Sequence, residues 1–133
     1  MIYALDSNII IKYVRGETAV IKNVHSAIVQ GKSLVVPAVV DYEVSRGFLI
    51  TPSPNMQKTY DELLEKCDII VEIDGNTWHY AAQIYANLRK NGFTVGEMDI
   101  LIAALCMVNG FTLVTNNTSD FGKIDGLKLV DWT

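Results

Sequence analysis

The chain has 133 residues, about one domain's worth, and half of them are apolar, so a packed core is attainable and a disordered tail protein is excluded. Its 11 Lys and Arg against 15 Asp and Glu leave a net charge of −4, which argues against broad, purely electrostatic nucleic-acid binding yet leaves room for a local basic rim or a bound cation. No apolar run approaches the ~18 to 20 residues of a membrane span and the first strand-like run is too short for a signal peptide, so no membrane contact and a cytoplasmic location are expected.

Ile2, Tyr3, Ala4 and Leu5 form a short β-forming run that stops at Asp6-Ser7-Asn8, residue types that favour helix starts, so a strand leads into a helix. Apolar positions then recur at spacings of three and four from Ile9 to Val14 and from Ala19 to Val29, with Gly16 and Gly31 as breaks, which predicts two helices. Ser33 to Val36 is the second strand. Pro37 suits the turn into a helix carrying Val39, Val40, Val44 and Phe48, which Gly47 and the Pro52/Pro54 pair loosen or end. A polar helix covers roughly Asn55 to Lys66, followed by a β-branched third strand from Ile69 to Ile73. After a turn at Asp74-Gly75-Asn76, Trp78, Ala81, Ala82, Tyr85 and Leu88 make the stripe of an amphipathic helix that ends near Asn91-Gly92. Gly96 opens a helix that is apolar on nearly every side from Ile100 to Val108 and is therefore expected to be buried, and Asn109-Gly110 closes it. Thr112 to Val114 and Leu127 to Val130 complete the strands, separated by a polar loop over residues 115–126. Cys67 and Cys106 lack metal-ligand spacing and read as small core residues.

Five short apolar strands alternating with helices predict one α/β domain over residues 1–133, a three-layer α/β/α arrangement around a five-stranded, mainly parallel sheet. Ligands of such sheets sit beyond the carboxyl ends of the strands. Asp6 follows strand one, Thr115-Asn116-Asn117 follow strand four with Asp120 further along, and Glu43 and Asp99 lie early in helices that begin at the same edge. Four carboxylates can therefore converge.

Each acid also has a plainer explanation. Asp6 can be a helix N-cap worth ~1 kcal/mol, although Ser7 and Asn8 would cap equally well. Asp99 can complement a helix dipole for ~0.3 to 1 kcal/mol, and Asp120 can make an Asx turn. Glu43, between Val40 and Val44, needs a partner or a cation if it is buried. Glu97 lies about 200° around the helix from Asp99 and joins the others only from a frayed first turn. Four gathered carboxylates repel one another and take up protons unless divalent cations compensate them, and an all-oxygen set suits Mg²⁺ or Mn²⁺ rather than zinc. With no other nucleophile in view, and His25 and His79 standing alone, the chemistry indicated is hydrolysis of a phosphodiester by a cation-activated water. Ser7, Asn8, Thr115 and Asn117 would orient acids, water and loops, roles that ordinary turn chemistry explains as well.

Taken together, Ile2-Tyr3-Ala4-Leu5-Asp6-Ser7-Asn8, Glu43, Gly96-Glu97-Met98-Asp99-Ile100-Leu101-Ile102-Ala103-Ala104 and Thr115-Asn116-Asn117-Thr118-Ser119-Asp120-Phe121 resemble the PIN-domain ribonucleases, most closely the VapC-type toxins of type II toxin–antitoxin pairs. The resemblance covers essentially the whole chain, including a last strand near Leu127-Lys128-Leu129-Val130. It implies that Asp6, Glu43, Asp99 and Asp120 are the acidic metal-binding quartet of a Mg²⁺- or Mn²⁺-dependent endoribonuclease, with Thr115 and Asn117 in supporting positions. It also implies a homodimer and a cognate antitoxin whose tail enters the acidic site, for which Phe48-Leu49-Ile50 would be a reasonable clamp. Ser7 stands where Thr is more usual and Asn116 where a basic residue is frequent, which removes one possible phosphate contact but no metal ligand. Candidate RNA contacts are Lys12, Tyr13, Arg15 and Arg46. Two other classes compete: a phospho-acceptor signalling domain, for which Asp74 would have to be the acceptor although Asp131-Trp132 follows the last strand where a Lys is needed, and a catalytically silent PIN-like domain that grips a protein helix.

Overall fold

The structure, a computed structural model, describes residues 1–67 and 69–133. Five strands, β1 (Ile2–Leu5), β2 (Ser33–Pro37), β3 (Ile69–Val71), β4 (Thr112–Val114) and β5 (Leu129–Val130), form one sheet in the order β3-β2-β1-β4-β5. Every pairing is parallel. Successive strand residues point to opposite faces, and in the three central strands both kinds are closed to solvent: Ala4 with Leu5, Leu34 and Val35 with Val36, Leu113 with Val114. Such a sheet needs cover on both faces, which the helices supply.

The helices are α1 (Ser7–Val14), α2 (Thr18–Val29), α3 (Ala38–Ile50), α4 (Pro54–Lys66), α5 (Gly75–Lys90), α6 (Glu97–Asn109) and the single-turn α7 (Thr118–Phe121). α5 lies along α6, while α1 packs against α2, α3 and α4. As its composition demands, α6 is buried nearly all round, with Ile102, Ala103, Ala104, Leu105 and Cys106 each at 0% exposure. It stops where Gly110 takes a left-handed φ of 71° and Phe111 N–H bonds back to the Cys106 carbonyl at 2.8 Å, a backbone turn that favours glycine. Burial pushes the Cys106 thiol up to about 12, so it is packing material. Among the described residues no helix is long and apolar enough to cross a membrane.

Three sequence expectations change. The loop over residues 115–126 contains α7, whose one turn is held by Phe121 N–H on the Asn117 carbonyl and Gly122 N–H on that of Thr118, with Phe121 fully buried beneath it. One buried aromatic in a polar stretch leaves no periodic signal. The outer strands are shorter than their apolar runs: β3 stops at Val71 and β5 starts at Leu129. On α5 the buried stripe is Thr77, Ala81, Ile84 and Leu88, while Trp78 and Tyr85 remain 55% and 43% exposed. Ala81 and Leu88 belong to both possible stripes, so periodicity alone could not choose between them.

The order β3-β2-β1-β4-β5 grows outward from β1 in one direction and then resumes with β4 on its other side. The crevice between the carboxyl ends of β1 and β4 is thus the point where the winding reverses, the usual ligand position in an open parallel sheet. Asp6 follows β1 there, and its N–H donates to the Val114 carbonyl at 3.0 Å.

Candidate active site

Asp6 is only 2% exposed. Its Oδ1 accepts the Ser7 N–H at 2.8 Å, so the plain N-cap reading holds. That leaves the second oxygen, and Oδ2 accepts the Thr115 hydroxyl at 2.7 Å and the Asn8 side-chain amide at 3.0 Å. Burial lifts the Asp6 carboxyl above its ordinary value, against these three hydrogen bonds, which favour the charge. Thr115, itself fully buried, also accepts the Asn117 N–H at 3.0 Å. Asn8 accepts the Asn116 N–H at 3.3 Å and points its amide at Thr115 Oγ1 at 3.4 Å. These bonds pin the turn after β1 to the turn after β4.

Around Asp6 stand the other three acids. The Asp99 carboxyl, in the first turn of α6, is pushed up to about 6, first by desolvation and then by the negative charges of Asp6, Glu43 and Asp120. Glu43, from the middle of α3, is likewise raised by burial and by Asp6, against the favourable Arg46 charge and a hydrogen bond with Ser7. Its Oε1 is a buried oxygen with no hydrogen-bond partner among the described residues. Asp120, in α7, is tied to Asp99 through one amide: Asn117 Nδ2 donates to Asp99 Oδ2 at 3.4 Å and to Asp120 Oδ2 at 3.3 Å.

The four acids therefore share one electrostatic neighbourhood, each drawn from a different element. Among the described residues no three His, Cys, Asp or Glu side chains already close on a metal position. The donor chemistry nevertheless fits a hard divalent cation: all oxygen, two carboxyls raised by burial and mutual repulsion, and one buried oxygen of Glu43 unpartnered.

Other expected residues fall into place or out of it. Glu97, the possible additional acid, is exposed beside Trp78, Tyr85 and Leu101, and the charges that act on Asp99 are those of Asp6, Glu43 and Asp120. Tyr13, a candidate RNA contact, is 7% exposed and packs in the core, with its hydroxyl 3.1 Å from His25 Nε2. Lys12, Arg15 and Arg46 line a cleft of about 630 Å³ that opens from Ser7, Asn8 and Glu43 toward Phe48 and Met56. Within it Lys12 pairs with Glu17 at 3.3 Å and Arg46 lies over the Tyr42 ring at 5.1 Å. Leu49 and Ile50, at the end of α3, are 82% and 80% exposed. Asp74 is occupied as the cap of α5, accepting from Thr77 N and Oγ1 at 2.9 and 2.8 Å. Sequence reasoning missed Lys123, whose Nζ lies 3.6 Å from Asp120 Oδ1. Its three-residue spacing from Asp120 was a usable signal only once a helical turn at α7 was recognised.

The PIN domain family model matches residues 3–127. The chain is 26% identical over 133 residues to "Ribonuclease VapC2" of Rickettsia felis, covering 99% of this chain and 98% of that protein. It is 28% identical over 132 residues to "tRNA(fMet)-specific endonuclease VapC" of Shigella flexneri, covering 98% of each. Among solved structures, that of VapBC2 from Rickettsia felis bound to a DNA fragment from its promoter superposes with a TM-score of 0.91 at 25% identity over 100% of both chains.

Proposed function

The chain belongs to the PIN-domain family, and on that footing we propose that it is an endoribonuclease of the VapC kind, the toxin of a toxin–antitoxin pair, with Mg²⁺ or Mn²⁺ held by Asp6, Glu43, Asp99 and Asp120. The observation that carries the reading is the gathering of these four acids near the reversal point of the sheet, with Asp99 raised to about 6 by burial and then by the other three. A divalent cation at such a centre lowers the pKa of an attacking water and stabilises the charge that grows on a phosphodiester. The chain's own residues do the positioning. Asp6 is fixed by three hydrogen bonds and has no freedom to rotate away. Asn117 orients Asp99 and Asp120 with one amide group, and Ser7 steadies Glu43. Arg15 and Arg46, in the adjoining cleft, supply the positive charge that an RNA backbone needs in order to approach four acids.

Purified protein is expected to cut RNA in Mg²⁺ or Mn²⁺ and to stop when a chelator is added. Asp6→Asn and Asp99→Asn are each expected to lower cleavage more than the about 10- to 100-fold typical of losing a hydrogen-bond partner of a metal ligand, with far-UV circular dichroism unchanged. Cleavage that survives both substitutions in a folded protein defeats the assignment. A silent helix-gripping domain has no need of the buried, unpartnered Glu43 oxygen, and a phospho-acceptor domain has its one candidate, Asp74, committed to a helix cap.

The homologous complexes are named as VapBC pairs, which supports a cognate antitoxin as partner here. The cleft between α1, α3 and α4, floored by Ile11, Val44, Phe48 and Met56 and rimmed by Lys12, Arg15 and Arg46, suits a helix followed by an extended tail reaching the acids. The exposed Trp78 and Tyr85 of α5, beside Leu101 of α6, support self-association as a homodimer through that face.

A further inference from the structure

Lys123, just past α7, has a second contact besides Asp120: its Nζ lies 5.6 Å from the centroid of the Phe93 ring. Phe93 sits in the connection between α5 and α6, so two segments distant in the chain meet at the rim of the acid cluster. From the ring the contacts run to Lys123, to Asp120 at 3.6 Å, to Asn117 at 3.3 Å and on to Asp99 at 3.4 Å. Packing leaves much of this phenylalanine open. The apolar anchor of its connection is Val95, 7% exposed, whereas Phe93 remains 41% exposed. The ring lines a small hollow with Tyr85, Leu88, Val95 and Ile100, and its chain neighbours Asn91, Gly92 and Thr94 are exposed and polar or small. The part of the ring left open to solvent offers a surface on which a base can stack, and the neighbouring ammonium a charge that a phosphate can meet, the combination by which single-stranded nucleic acid is held.

We propose that Phe93 and Lys123 form a nucleotide subsite beside the catalytic acids: the ring stacks on an unpaired base neighbouring the scissile bond, and the ammonium contacts the phosphate between them. The subsite rests on the ribonuclease reading and adds a requirement to it, since a base stacked on a side chain cannot be paired in a duplex. The enzyme then selects a loop, bulge or end over a helix of RNA.

The test uses the full chain. A fluorescently labelled single-stranded RNA is titrated with Asp99→Asn and with Asp99→Asn/Phe93→Ala in Mg²⁺, so that affinity is read without cleavage. Loss of the ring is expected to weaken binding at least about fivefold, while Phe93→Trp restores it. In an otherwise wild-type background, Phe93→Ala is expected to lower kcat/KM mainly through KM. An abasic nucleotide at the stacked position should slow the wild type by a similar factor and Phe93→Ala hardly further. Equal RNA affinity with and without the ring overturns the subsite, as do abasic and Phe93→Ala effects that simply multiply. A change in sedimentation behaviour with unchanged RNA affinity overturns it too, in favour of a protein contact. A wild type that binds RNA through Phe93 but never cuts it would instead sink the ribonuclease reading and leave the subsite standing.

Discussion

Moving the Asp99 carboxyl from water to the mouth of α6, beside three other acids, lifts it from 3.8 to about 6. Between those two values the folded, metal-free protein binds more protons than the unfolded chain, so Asp99 lowers stability progressively as the pH rises from about 4 to about 6. Melting curves in a chelator should therefore show Asp99→Asn gaining on the wild type across that interval, with the difference persisting at pH 7. A difference that shrinks as the pH rises would contradict the acid cluster. If the acids hold a cation, cleavage at subsaturating Mg²⁺ should respond in the opposite sense, falling as the pH drops, because a proton then competes with the ion for Asp99. Asp6, with its carboxyl also raised by burial, pushes in the same direction.

At the scale of elements, the cleft beside the acids depends on how α4 is fastened to α3. Tyr60 is 1% exposed and donates its hydroxyl to Asp41 Oδ1 at 2.6 Å, while its ring lies 5.9 Å from that of Phe48. Tyr60→Phe keeps the ring and removes the bond, so it should cost about 1 to 2 kcal/mol, read as a lower urea midpoint at unchanged slope. Midpoints that coincide would show that the hydroxyl is not structurally engaged. The long elements were legible because their signals are redundant: α6 reads as buried from six successive apolar or small residues, and β1 from an apolar run ending at three capping types. Asp6, Glu43 and Asp99 were legible for a related reason, since an acid inside or against an apolar run has few structural uses. α7 was not, because four residues carry no period, and without α7 neither the partnership of Asp120 with Lys123 nor the place of Phe93 could be seen. Tyr13 and Trp78 failed in complementary ways, one expected at the surface and found inside, the other expected inside and found out, because a single stripe fixes a helix but not its rotation by one position.

For the molecule as a whole, four carboxylates drawn from four elements mean that folding works against their repulsion, and a bound cation should return that stability. Mg²⁺ at a hundred times its dissociation constant contributes about 2.7 kcal/mol to any state that binds it, so the melting temperature should rise by at least about 5 °C at pH 7 and hardly at all for Asp6→Asn. An equal rise in both proteins would place the ion elsewhere. The hydrogen bonds from Asn8 to Thr115 and from Asn116 to Asn8 join the opening turn of the chain to one near its close, across the β1–β4 pairing. While a ribosome is still making this protein, the emerged portion owns Asp6, Glu43 and Asp99 but neither the strand that completes the crevice nor Asp120. Until residues 112–120 emerge, a growing polypeptide therefore holds three of the four acids without the strand and the turn that gather them.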